Sequence, residues 1–156
     1  MVTIEVLNEG HVPAVQAIFL APEQVKFAQT SQDFLADNNN DCHRFVIVFK
    51  GQIVGFFKLV LNYCLTHDFC SPNAIGLRSF VIDQSKQGQG IGTQAVSALG
   101  CYFSTHYSQY HCLYLTVNCK NPAAFECYLR GGFQDTGKLY LDGPAGPQRI
   151  MFFNPL

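Results

Sequence analysis

One stretch constrains this chain more than any other: Phe80-Val-Ile-Asp-Gln-Ser-Lys-Gln-Gly-Gln-Gly-Ile-Gly92. It passes from an apolar, strand-like segment through a glycine-rich turn directly into an amphipathic stripe formed by Ile91, Ala95, Leu99, Tyr102/Phe103 and Tyr107. That stripe has the spacing of one buried helix face. Glycines let a backbone come close to a ligand, and the free N–H groups at the start of a helix favour an anion, so a phosphate or pyrophosphate is the natural guest. The bland alternative is a tight turn that merely needs permissive φ/ψ.

Glycine spacing separates the phosphate-binding patterns. A Walker loop requires Gly-Lys followed by Ser or Thr, which is absent. A dinucleotide fingerprint requires G-x-G-x-x-G, whereas here the glycines stand at 88, 90 and 92 and position 93 is Thr. A third pattern, Gln/Arg-x-x-Gly-x-Gly/Ala, is satisfied by Gln87, Gly90 and Gly92.

Short segments rich in Val, Ile and Phe predict strands at Thr3–Leu7, Phe45–Lys50, Ile53–Leu61, Ile75–Ile82, Cys112–Val117, Phe133–Leu141 and Gln148–Phe153. Lys50-Gly51-Gln52 is short enough for a hairpin. Val12, Val15, Ile18 and Phe19 predict one helix face. Val25, Phe27, Phe34 and Leu35 predict a second, looser helix after Pro22. Asn121-Pro122 is a helix start, since Asn caps free N–H groups and Pro suits the first turn, and Gly131-Gly132 is its stop. The order is strand, two helices, three strands, helix, strand, helix, two strands. It predicts a mixed α/β or α+β sheet and one domain over 1–156.

With the glycine pattern and this order in hand, the chain resembles the GNAT superfamily of N-acetyltransferases. A separate match lies downstream, Asn121-x-x-Ala124-x-x-x-Tyr128-x-x-x-Gly132-Phe133, on the helix after the fifth strand. More loosely, Ala21-Pro-Glu-Gln-Val-Lys-Phe27, Val54-Gly-Phe56 and the lead-in Phe80–Asp83 look like the bacterial polyamine-acetyltransferase-like branch. The resemblance implies a mostly antiparallel, twisted sheet of seven strands with four helices, its fourth and fifth strands splayed, and acetyl-CoA as acyl donor with no metal.

By the same resemblance, the amides of Gly88, Gln89, Gly90, Ile91 and Gly92 would cradle the pyrophosphate, with Gln87 shaping the loop. Phe80, Val81 and Ile82 would pair with the pantetheine arm, and an amide near Phe80 or Val81 would polarise the thioester carbonyl. Asn121 would contact the cofactor arm or act as a plain helix cap. Tyr128 would protonate the departing thiolate; its alternative is a core tyrosine with a satisfied hydroxyl. A general base is harder to find: the fourth strand carries no Glu, and Asp83 reads as a turn residue. His67 and Asp68 could relay a proton, with a water chain as the default. The missing Glu motivates a second reading, a non-catalytic CoA-binding module; Tyr128 argues against it.

Composition narrows partners and surroundings. Ten Lys plus Arg against eleven Asp plus Glu leave no strong field for phosphate backbones, which argues against nucleic acid. The longest apolar runs, such as Phe45–Phe49, fall far short of the ~20 residues that span a bilayer, and the N-terminus shows no basic segment leading into an apolar core. With seven cysteines, no C-x-x-C and an odd total, reduced thiols in a soluble cytoplasmic protein are expected. Cys64, His67, Asp68 and Cys70 form the one cluster resembling a metal site. Residues 1–50 hold six acids and three bases, the remainder five acids and seven bases, a balance of -3 against +2. An acidic N-terminal part would suit a cationic acceptor, either a small-molecule or a peptide amine; scattered surface charge explains it equally well. Homodimers are common in such folds, and no residue pattern decides for one.

Overall fold

A computed structural model describes residues 1–25 and 27–155; Lys26, part of the Ala21–Phe27 resemblance and of the charge count, lies outside the described residues. In chain order the elements are β1 (Val2–Val6), α1 (Val12–Gln16), α2 (Pro22–Val25), α3 (Ser31–Ala36), β2 (Cys42–Phe49), β3 (Gln52–Val60), α4 (Tyr63–Thr66), β4 (Ala74–Ile82), α5 (Ile91–His106), β5 (Cys112–Asn118), α6 (Pro122–Gly131), β6 (Gln134–Tyr140) and β7 (Gln148–Phe153). Single 3-10 turns precede α1 and follow β4.

The strands form one seven-stranded sheet in the order β1-β2-β3-β4-β5-β7-β6, antiparallel except for β4 beside β5. Alternation along the strands sends successive side chains to opposite faces. Phe45, Ile47, Phe57 and Leu59 meet Ile91, Ala95, Leu99 and Phe103 of α5 on one face. Val46, Phe56 and Val81 meet Val15, Ile18 and Phe34 on the other. The β2–β3 hairpin closes through Lys50 (φ 52°) and Gly51 (φ 74°), a pair of left-handed residues that matches the right-handed strand twist.

The helices depart from expectation before β2. The looser second helix is two segments, α2 and α3, because the stretch is divided and Thr30 starts a new helix by accepting the Asp33 amide on its hydroxyl at 3.2 Å. Phe19 does not join the buried face of α1: that helix ends at Gln16 and the Phe19 ring is 65% exposed. Its backbone is instead held by the end of β4, with Phe19 N–H donating to Asp83 Oδ1 (3.1 Å) and Phe19 C=O accepting from Gln84 N (2.8 Å). The one-turn α4 was not foreseen, since four residues carry no periodicity.

The site is set by the β4–β5 join. These strands pair only at Ala74–Cys112, Ile75–Leu113 and Gly76–Tyr114. Beyond Gly76, among the described residues, β4 keeps β3 as its sole strand neighbour and β5 keeps β7. Tyr63 is wedged at the split. A Cβ on Gly76 would fall 2.1 Å from the Tyr63 ring, so only glycine admits the aromatic there. No helix among the described residues is long and apolar enough to cross a membrane.

Candidate active site

The gap between β4 and β5 opens into a cavity of about 1170 Å³. Its floor is the freed edge of β4 from Leu77 to Ile82; its far wall is Leu115 to Asn118 of β5, with α6 on one flank. The glycine turn closes one end. Tyr63 and Thr66 of α4, with His67 just after it, stand at the other, beside Arg78 and Tyr140.

At the glycine end, Gly88 and Gly90 take φ of +78° and +79°, and a Cβ on either would meet nothing within 4 Å. The space in front of the turn is therefore open, and left-handed backbone supplies the curvature. Gln94 is the first α5 residue whose amide closes on the turn, at Gly90 O (3.1 Å). Among the described residues the amides of Gly88, Gln89, Gly90, Ile91 and Gly92 have no hydrogen-bond partner. A row of bare amides at the start of a 16-residue helix fits a pyrophosphate. Gln87 holds the turn in shape by donating Nε2 to Ile82 O (2.9 Å) and pairing with Gln24.

A bulge shapes the floor. In the β3–β4 register Phe56 faces Val81 and Lys58 faces Arg78, so Ser79 and Phe80 together oppose Phe57. Ser79 absorbs the extra residue at φ 58° and donates Oγ to Gln29 Oε1 (2.8 Å). The bulge turns Phe80 onto Phe57 and Tyr128, with ring centroids 6.1 and 5.8 Å away.

Tyr128 is 9% exposed and lines the cavity, and its hydroxyl has no hydrogen-bond partner among the described residues. A satisfied core tyrosine would have a partner. Burial holds this phenol far above its ordinary range, so it stays a proton carrier at neutral pH. Asn121 caps α6, its Oδ1 accepting from Ala124 N (3.4 Å), and also borders the cavity.

The acetyltransferase (GNAT) family profile matches residues 12–133. The chain belongs to that family. A similar curated relative is the spermine/spermidine N(1)-acetyltransferase of Bacillus subtilis (strain 168), 26% identical over 148 residues, 91% of this chain and 93% of that one. Among known structures, that of AAC(6')-Ib in complex with paromomycin and acetyl-CoA superposes with TM-score 0.79 at 17% identity, covering 98% of this chain and 93% of that one. The Vibrio cholerae spermidine N-acetyltransferase in complex with CoA and spermine gives TM-score 0.73 at 18% identity, covering 99% and 95%.

In this GNAT chain the expected site residues divide by position. Phe80, Val81, Ile82, Gln87, Gly88, Gly90, Gly92, Asn121 and Tyr128 line the cavity. The side chains of Gln89 and Ile91 do not: Ile91 is buried in the core at 1% exposure, and Gln89 turns back to Ser85 O (3.5 Å). Asp83 acts as a turn clamp, accepting from Phe19 N and from Ser85 Oγ (2.9 Å). Asp68 stays outside the cavity, whereas His67 is fixed in its wall, stacked on Tyr63 at 4.0 Å and 7°. His67 Nδ1 lies 2.9 Å from the Tyr63 carbonyl and 3.0 Å from Thr66 Oγ1, contacts that hold the ring in place, and Nε2 has no hydrogen-bond partner among the described residues. Cys64 and Cys70 meet side chain to side chain, but Cys64 Sγ donates to Ala74 O (3.3 Å), and among the described residues no three His, Cys, Asp or Glu gather as a metal site.

Further residues line the cavity, among them part of Asp142–Pro147, which the sequence leaves open as a cover over the acceptor site or a plain join between two strands. The loop after β6 comes over the cavity through Asp142, Gly143, Pro144 and Ala145, tied down by Asn118 Nδ2 donating to Ala145 O (2.9 Å) and Cys119 N to Pro147 O (3.0 Å). Gln24, Tyr63 and Ser79 reach the site through non-local contacts. Arg78 left one visible signal, a lone charge on an otherwise apolar strand.

Proposed function

We propose that the protein is an acetyl-CoA-dependent N-acetyltransferase that moves an acetyl group to a primary amine by direct transfer in a ternary complex. The amine belongs to a small molecule or a peptide. One observation carries this reading: a single cavity joins the bare amides of the glycine turn, along the unpaired edge of β4, to the partnerless hydroxyl of Tyr128.

The amides of Gly88 to Gly92 bind the pyrophosphate, and Gln87 holds their curvature. The β4 edge at Phe80–Ile82 offers main-chain donors and acceptors to the amide-bearing pantetheine arm, as an added strand would. An amide beside the Ser79 bulge polarises the thioester carbonyl. The amine nitrogen forms the new C–N bond, the C–S bond breaks, and Tyr128 gives its proton to the departing sulfur. The amine loses one proton in exchange. β4 carries no carboxylate to receive it, so His67 Nε2, directly or through water, is the base we assign.

Calorimetry with acetyl-CoA and thiol release over polyamines, amino acids, aminoglycosides and peptide N-termini test this reading. Binding and release with one of these amines are expected. No binding at millimolar ligand would overturn it, and binding without release would leave a CoA-binding module.

A further inference from the structure

The acceptor end of the cavity carries the wrong charge for a polycation. Arg78 lines it, is exposed, and makes no hydrogen bond or ion pair among the described residues. Directly opposite on β3 stands Lys58, on the same face of the sheet. Like charges in that position repel, and the fold compensates only one of them. Lys58 is 8% exposed and its ammonium sits 2.5 Å from Asp37 Oδ2. Arg78 has no such partner. The carboxylates bordering the cavity among the described residues are Glu126 and Asp142, and neither pairs with it.

Arg78 is also too far from the glycine turn to serve the coenzyme phosphates. It lies two residues past Gly76, the last β4–β5 pair, and four before Ile82. At about 3.3 Å per residue, the turn begins about 13 Å away along the strand. Beside Arg78 are the stacked Tyr63 and His67, where an acceptor must stand to reach a thioester at the bulge.

We propose that the acceptor is a small amine bearing a carboxylate, of amino-acid type, and that Arg78 binds this carboxylate through its planar two-donor edge. Such a fork matches a carboxylate in geometry and charge. This rests on the acetyltransferase reading above and adds its substrate class. The acetylated product keeps the carboxylate and loses the basic nitrogen.

The test is thiol release with the common L-amino acids, their carboxamides and spermidine, for the unaltered protein and for R78Q, with acetyl-CoA affinity of both measured by calorimetry. We expect at least one amino acid to be used in preference to its amide and to spermidine. We expect R78Q to lose about ten- to hundredfold of that preference, the range for a charged hydrogen bond removed, with acetyl-CoA affinity unchanged. R78K, which keeps the charge without the fork, should recover part of it. If R78Q fails to fold, the preference of the unaltered protein for acid over amide decides. Use of spermidine or amides with no carboxylate acceptor, or an unchanged preference in folded R78Q, would overturn the carboxylate assignment and leave an acetyltransferase. Absence of acetyl-CoA binding to the unaltered protein would overturn both.

Discussion

The carboxamides of Gln24 and Gln87 hydrogen-bond each other in both directions, each Nε2 donating to the other's Oε1 at 3.1 Å. Gln87 Nε2 also reaches Ile82 O, so one side chain ties the glycine turn both to the end of β4 and to α2. The curvature of the anion cradle thus depends on a residue more than sixty positions upstream.

Cutting this tie should weaken coenzyme binding more than folding. A neutral hydrogen bond contributes about 0.5–1.5 kcal/mol net, and Gln87→Ala removes those that shape the turn. Acetyl-CoA affinity measured by calorimetry should fall roughly fivefold to tenfold, and less for Gln24→Ala. A double-mutant cycle should show the two effects coupled by at least about 0.5 kcal/mol; strict additivity would mean the pair does not shape the turn.

Gly90→Ala isolates backbone strain. Its φ of +79° disfavours any residue with a Cβ, yet no atom lies within 4 Å of the added methyl. Denaturant unfolding should register a loss of about 1–2 kcal/mol, and acetyl-CoA affinity should drop as the bare amides shift. Unaltered values in both measurements would show that the turn does not need this conformation.

Tyr128→Phe separates chemistry from packing. The hydroxyl has no hydrogen-bond partner among the described residues, so its removal should leave stability within about 0.5 kcal/mol. Turnover should fall by about a hundredfold or more, the range for a positioned proton donor, while acetyl-CoA affinity holds. A stability loss with normal turnover would return Tyr128 to a structural role.

The alkaline limit follows from buried phenols. Burial raises Tyr63, Tyr107 and Tyr128 above the ordinary tyrosine value of 10.0, with Tyr107 pushed up to about 12. Between those two values the unfolded chain has released protons that the folded chain keeps, so stability should be flat with respect to these groups below pH 10 and fall as pH rises above it. Tyrosinate absorbance should show these three titrating late. Early titration of all seven tyrosines in the folded state would contradict the burial.

The parts of this molecule written in local pattern were readable from residues alone. The sequence pattern of Gln148–Phe153 predicts the bounds observed, and α5 shows its buried stripe without interruption, because both follow a single period. The early helices were blurred because α2 and α3 have four and six residues, too short for a period to register. At the site, the glycine turn and Tyr128 were legible since each sits in a fixed sequence spacing. The wedge of Tyr63 on Gly76 and the Gln24–Gln87 tie were not. They depend on which distant segments meet, and no spacing encodes that. Arg78 was visible as a charge, but its lack of a partner among the described residues becomes evident only once Lys58 is seen opposite and already neutralised.

The brief β4–β5 ladder gives the sheet a mechanical character. Four strands on one side and three on the other are joined edge to edge at one end, by the rungs from Ala74 to Gly76 and the His111 N–H bonded to Asn73 O just before them. They behave as the two arms of a peg hinged at one end. A molecule lying along the gap and bonding to β4 would bridge the arms and act as a further strand of the sheet. Melting temperature should then climb with acetyl-CoA concentration well beyond saturation, as mass action requires of a ligand that the unfolded chain cannot hold. Amide exchange should slow most along Leu77–Ile82 and Leu115–Asn118, the two free edges, if the donor molecule serves as the missing strand.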